Sequence, residues 1–254
     1  MLTGYPILDH LTGGLQSGDL LTFVGGPLCG RSMFALNILR NQMDFETSPK
    51  IAFMTAELSA KEVERRLLQL AIDVEEEKRM EEQFVFTDIQ RCCIDFESLH
   101  KNIIKLVGKN KVSAVIIDSF HFLPFIEYYS YDKLPNISRK LKFIARELGI
   151  VIIITTRTNY QPSERSGLCG KRPCLSDLEY MGDLNYFSDV VLGMFRPEMY
   201  NMVIDIEGNR LEGNIQIEIL KSRKTIMQLI SYQIVTDKGQ IEEMELLDRR
   251  KWLL

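Results

Sequence analysis

Leu20-Leu21-Thr22-Phe23-Val24 runs directly into Gly25-Gly26-Pro27-Leu28-Cys29-Gly30-Arg31-Ser32, and that stretch decides the fold. A continuous, mainly apolar run suits a strand covered on both faces. The eight residues after it read G-x4-G-basic-Ser, the spacing of a phosphate-binding loop. Glycines let successive backbone N–H groups turn toward a phosphate, and the helix that follows adds the positive end of its dipole. Ser32–Asn41 is compatible with such a helix. Gly25, Gly26, Pro27, Leu28, Cys29, Gly30, Arg31 and Ser32 are therefore the candidate phosphate cradle, with the Ser32 hydroxyl placed for Mg²⁺. The competing reading is a plain glycine turn between strand and helix. Arg31 stands where the motif normally has lysine; its planar fork prefers bidentate geometry, so nucleotide binding with weakened hydrolysis is expected.

Outward from this point, short apolar runs alternate with amphipathic stretches. Ile51–Met54, Ala114–Ile117 and Val151–Ile154 read as further buried strands. Val63, Leu67, Leu70 and Ala71, then Leu141, Ile144, Ala145 and Leu148, fall at helical spacing. Ser59 with Glu62, and Ser176 with Glu179, read as capping boxes. The alternation implies βαβ units and a mostly parallel sheet flanked by helices, an α/β fold. The acidic run around Glu75–Glu82 reads as a solvated helix end. In the last quarter, Met202–Ile206, Ile215–Ile219, Ser231–Val235 and Gln240–Leu247 alternate with glycine and asparagine turns, which predicts an antiparallel extension.

Composition sets the outer limits. The chain has 254 residues, 45% hydrophobic and 26% charged, which excludes disorder, collagen-like fibre and small disulfide scaffolds. The absence of a repeat or low-complexity linker favours one domain over residues 1–254. A net charge of −4 excludes a uniformly basic nucleic-acid coat but not a local basic loop. The five cysteines, Cys29, Cys92, Cys93, Cys169 and Cys174, miss zinc spacings, and reduced thiols in a cytoplasmic protein are expected. The first residues resemble no signal peptide, and no apolar run is long enough to span a membrane.

Two acidic residues extend the nucleotide reading. Asp118 closes the apolar run Ala114–Ile117, where a strand-end carboxylate holds the Mg²⁺ water shell of phosphoryl-transfer ATPases; it could equally be a turn residue. Glu57 follows Phe53-Met54-Thr55-Ala56 and is a candidate general base, or a first-turn acid complementing a helix dipole. Open α/β sheets bind ligands at the C-terminal ends of their strands, where all three features fall.

At this point the chain resembles the C-terminal RecA-type ATPase domain of DnaB-type replicative DNA helicases. The carrying segments are Thr3–Asp9, Leu11–Leu20, Ala56-Glu57-Leu58-Ser59, Lys171–Leu178, Ser188–Leu192, Arg196–Asn201 and Lys221-Ser222-Arg223. The resemblance implies a RecA-like P-loop fold, ATP and Mg²⁺ as ligands, Glu57 as base and Asp118 with Ser32 on the metal. It implies that Lys221 and Arg223 reach a neighbouring subunit's nucleotide, and hence a homo-oligomeric ring or weaker self-association. Thr156 aligns with the family's phosphate-sensing glutamine. The glycine turn after the finger is replaced by Lys224-Thr225-Ile226, and the family's N-terminal helical domain and linker helix are expected to be missing.

Channel-lining loops are expected at Phe120–Pro135 and Arg157–Pro173. Arg157, Arg165, Lys171 and Arg172 are the candidate contacts to single-stranded DNA, through its backbone and without sequence readout. Tyr128, Tyr129 and Tyr131 suit packing better than base stacking. The leading expectation is an ATP-hydrolysing helicase motor acting with other replication proteins. The alternative is a catalytically weakened nucleotide- or DNA-binding module that regulates a partner. A recombination-mediator or clock-type RecA relative is disfavoured by the Lys171–Leu178 and Asp189–Asn201 segments.

Overall fold

A computed structural model of the chain describes all residues except 46–48, 72, 127–133, 159–164, 166–169, 179–182, 206–207, 226–227, 236–237 and 248–254, with the side chains of 134–136 and 246–247 also left aside. In chain order the main elements are α1 (Pro6–Thr12), β1 (Leu20–Gly25), α2 (Arg31–Asn41), β2 (Ile51–Thr55), α3 (Ala60–Leu68), α4 (Val74–Gln83), β3 (Phe84–Asp88), the one-turn α5 (Ile89–Cys92) and α6 (Phe96–Asn110). They continue with β4 (Ala114–Asp118), α7 (Leu134–Leu148), β5 (Val151–Arg157), the one-turn α8 (Leu184–Phe187), β6 (Val190–Phe195), β7 (Asn214–Lys221), β8 (Leu229–Ile234) and β9 (Ile241–Leu247).

The strands form one sheet in the order β3-β2-β4-β5-β1-β6-β7-β8-β9. The first six are parallel and the last three antiparallel, as the change of pattern in the last quarter predicts. Alternate residues divide the core between the two faces. Phe23, Phe53, Ile116 and Ile153 pack with Phe34 and Ile38 of α2 and Val63 and Leu67 of α3. Val24, Met54, Ile117 and Ile154 pack with Leu99 and Ile103 of α6 and Leu141 and Ile144 of α7. This two-sided cover is why those strands lack polar alternation.

Several local expectations change. Ser59 caps α3, accepting from the Glu62 N–H at 3.2 Å, but the Glu62 carboxylate turns to Arg65 and Arg66 instead of closing the box. Ser176 begins no α-helix: Leu175–Leu178 is a 3-10 turn, and Glu179 lies outside the described residues. The acidic run is a complete helix, capped by Asp73, and its Glu76 is buried against Arg40 of α2 at 3.4 Å. Met202–Ile206 forms no strand among the described residues, only the isolated bridge between Ile204 and Arg210. Among the described residues no helix is long and apolar enough to cross a membrane.

Candidate functional site

The C-terminal ends of β1, β4 and β5 lie side by side, because β5 pairs with both β1 and β4. Gly25 ends β1, and the chain turns through Gly26–Gly30 into α2. Gly30 sits at φ 95°, a left-handed conformation that favours glycine. At Gly25 a Cβ would lie 2.5 Å from the Cys29 Sγ and 2.6 Å from the Met194 carbonyl, so the loop can close only on glycine. Cys29 is thereby buried beneath the loop, and burial pushes its thiol pKa up.

Ser32, in the first turn of α2, donates its hydroxyl to Asp118 Oδ1 at 2.9 Å across the strand ends. Thr155 of β5 donates to the same oxygen at 2.5 Å. The second carboxylate oxygen, Oδ2, is buried without a hydrogen-bond partner. Burial raises the Asp118 pKa above the ordinary carboxylate value, against the hydrogen bonds from Thr155 and Ser32. A buried carboxylate oxygen with no donor, beside a serine hydroxyl, is the donor set of a hard cation such as Mg²⁺. These residues fit that ion.

Arg31 folds back on its own loop. Its Nη1 donates to the carbonyls of Gly25 and Gly26, the latter at 2.7 Å, and lies 3.7 Å from the Cys29 Sγ. Leu28 at the loop tip is 77% exposed with φ 57°. Glu57 is exposed on the same rim, just after β2. Its segment is pinned to the site, since the Ala56 N–H donates to the Asp118 carbonyl at 2.6 Å.

Two residues on this rim escaped the sequence reading. Thr155 faces Asp118; the next residue, Thr156, points to the other sheet face, where its hydroxyl is buried without a partner. Neighbouring strand positions alternate faces, so a register of one decides between them. Tyr200 stacks on Phe195 with ring centroids 5.1 Å apart, and its hydroxyl would be 2.8 Å from a Cβ at Gly26. An aromatic pair thus walls one side of the loop.

Lys221 and Arg223 lie at the opposite end of the parallel strands. β7 runs antiparallel to β6 and pairs Lys221 with Val191, so its end meets the start of those strands. Lys221 Nζ donates to the carbonyls of Asn185 and Tyr186 at 2.8 and 3.0 Å, and burial lowers its pKa. Arg223 grips Asp19 through both terminal nitrogens, at 2.6 and 2.5 Å. The six residues of β1 separate Asp19 from Gly26, about 20 Å at ~3.3 Å per residue.

Of the basic loop residues, Arg157 is exposed at the end of β5, and its backbone N–H reaches His121 Nδ1 at 3.4 Å. Arg165 pairs with the buried Asp177. Arg172 donates to Gln216 Oε1 and lies 4.7 Å from the Phe195 ring centroid. Lys171 Nζ lies 5.8 Å from the Tyr200 ring centroid. Tyr128, Tyr129 and Tyr131 fall outside the described residues.

A parallel core with a glycine loop after β1, a serine at the first helical turn and a carboxylate ending β4 defines a RecA-like P-loop protein. The family described as "DnaB-like helicase C terminal domain" matches over residues 1–102 and 78–242. The chain belongs to that family. It is 27% identical over 228 residues to a "Replicative DNA helicase DnaB" of Buchnera aphidicola, covering 81% of this chain and 48% of that one. It is 24% identical over 267 residues to its namesake in Geobacillus stearothermophilus, covering 96% of this chain and 56% of that one. The chain spans about half the length of the curated relatives it matches. Among solved structures, a "DnaB-Like Replicative Helicase" shares the fold with a TM-score of 0.76 at 21% identity, covering 96% of this chain and 61% of that one. A KaiC-like protein of Pyrococcus horikoshii shares it more loosely, with a TM-score of 0.68 at 19% identity over 96% and 98% of the two chains.

Proposed function

We propose that this chain is one RecA-type motor unit of a replicative DNA helicase, hydrolysing Mg-ATP as it moves along single-stranded DNA. The observation that carries the reading is the contact of Ser32 with Asp118 at 2.9 Å, with Asp118 Oδ2 buried and unpartnered. In this reading the N–H groups of Gly26–Ser32 and the start of α2 cradle the phosphates. Ser32 and Asp118 would hold Mg²⁺, which would supply charge neutralisation for the triphosphate. Glu57 accepts the proton of the attacking water as the bond to ADP breaks, giving ADP and phosphate. Thr155 keeps Asp118 oriented, while Thr156, which aligns with the family's phosphate sensor, lies on the other sheet face.

The ~20 Å between Gly25–Ser32 and Lys221–Arg223 exceeds the reach of an arginine side chain, which supports action on the nucleotide of an adjacent copy. A finger of that kind is worth on the order of 10³–10⁵ in rate where measured in GTPases. Arg157, Arg165, Lys171 and Arg172 belong to the strand-end loop that would follow the DNA backbone. Partners of the kind named for a relative, whose structure is described with "its interactions with primase", fit the same reading.

One observation favours the second reading, a nucleotide- or DNA-binding module of low turnover. Arg31 is already bonded to the Gly25 and Gly26 carbonyls, so phosphate must win the guanidinium from its own loop. Turnover of Mg-ATP, measured with and without single-stranded DNA in wild type and Arg31→Lys, separates the two. The motor reading expects DNA-stimulated turnover that Arg31→Lys raises on the order of tenfold. Calorimetric binding with no turnover in either protein selects the module.

A further inference from the structure

Arg223 is not a free side chain waiting at the surface. Its guanidinium faces Asp19, which is 3% exposed, and Asp189 Oδ1 lies 3.7 Å from it. Both carboxylates are built into the fold. Asp19 Oδ2 accepts the Gln16 N–H at 2.6 Å, and Asp189 Oδ2 accepts the Leu20 N–H at 2.8 Å. Lys142 of α7 closes the cluster, donating to Asp189 and, at 2.6 Å, to the Gly18 carbonyl. Two acids and two bases thus fix the start of β1, the start of β6 and the segment after β7 to one another. Arg223 remains the most accessible member, its side chain 41% exposed.

End-on gripping by two nitrogens leaves the Arg223 Nε–H and two further N–H groups outside the pair. A partly desolvated Arg–carboxylate fork is both strong and directional. The fork holds the partly exposed guanidinium in one place yet competes with any phosphate offered to it. We infer that Asp19 is a positioning residue that latches Arg223 on its own subunit and yields it to the triphosphate of an adjacent copy, so that self-association depends on nucleotide. This rests on the reading of Arg223 as a group that acts in trans.

Asp19→Asn keeps the shape and an acceptor for Gln16 while weakening the fork. Sedimentation velocity over a protein dilution series, with Mg²⁺ and a non-hydrolysable ATP analogue, reads the effect. Asp19→Asn is expected to associate at about fivefold lower concentration than wild type, the factor given by a half-exposed ion pair of ~1 kcal/mol. Without the analogue the two should differ less, and Asp19→Asn/Arg223→Ala should lose the gain. Unchanged or weaker association of Asp19→Asn, a gain that survives in the double variant, or no association of either protein overturns the latch. If Asp19→Asn does not fold, Asp19→Ser, which still offers an acceptor to the Gln16 N–H but removes the carboxylate, is expected to show the same gain under the same criteria. ATP turnover on matched samples without the analogue should show a higher kcat at low protein concentration with KM unchanged. A chain that associates in this way without turnover keeps the latch and loses the motor.

Discussion

Asp118 and Arg31 show how single side chains set what the loop can do. Asp118 keeps a buried oxygen without a donor, a cost that a bound cation would remove. Arg31 bonds the loop's own carbonyls, which a shorter, less forked lysine would do less firmly. His121 gives a pH signature beside them. Burial, with Arg157 and Arg31 nearby, lowers its pKa to about 4, and its Nδ1 accepts the Arg157 N–H. The unfolded chain binds that proton near pH 6.5 and the folded one only near 4. Stability is therefore whole above about pH 6.5 and falls as the pH drops through that window. In thermal melts from pH 7 to 4, His121→Gln should show a shallower decline than wild type; equal slopes would mean that His121 does not set the pH dependence. Ser32 and Asp118 are legible from loop spacing and a strand-end acid. Thr155 is not, because choosing between adjacent threonines needs the register against Phe23 and Val24.

At the scale of elements, the C-terminal strands do more than widen the sheet. Glu243 of β9 accepts the N–H groups of Ile7 and Leu8 at 2.6 and 3.1 Å, capping α1 from 236 and 235 residues away. It also accepts the Tyr232 hydroxyl at 3.1 Å, within the aromatic cluster of Tyr5, Phe34 and Tyr232 that backs α2. Glu243→Ala should cost about 2 kcal/mol by chemical denaturation and speed amide exchange at Ile7 and Leu8. Unchanged exchange at those amides would show that α1 does not depend on β9. The strands β1, β2, β4 and β5 are readable because their apolar runs are unbroken. β3 is not, since its residues after Phe84 are only half-buried. β6 hides behind Gly193, a weak strand residue on its own. There a Cβ would lie 3.0 Å from Leu220 Cδ1 of β7 and 3.3 Å from Pro173 Cβ, a tight fit that the glycine avoids.

Across the whole molecule, the phosphate loop and the Lys221–Arg223 segment occupy opposite ends of the parallel strands. Loop spacing points to the first and the family resemblance to the second, but nothing in the sequence pairs Arg223 with Asp19, 204 residues away. That long-range pair turns a partly exposed arginine into one held in place, which on the proposed reading readies it for another subunit. On the proposed reading the active site is completed between copies. The direct measurement mixes Asp118→Asn chains, which lack the proposed metal carboxylate but carry Arg223, with Arg223→Ala chains, whose Gly25–Ser32 loop and Asp118 are unchanged. Mg-ATP turnover is followed on single-stranded DNA. Turnover of the mixture well above the sum of the two variants alone is predicted; a mixture equal to that sum would contradict completion between copies.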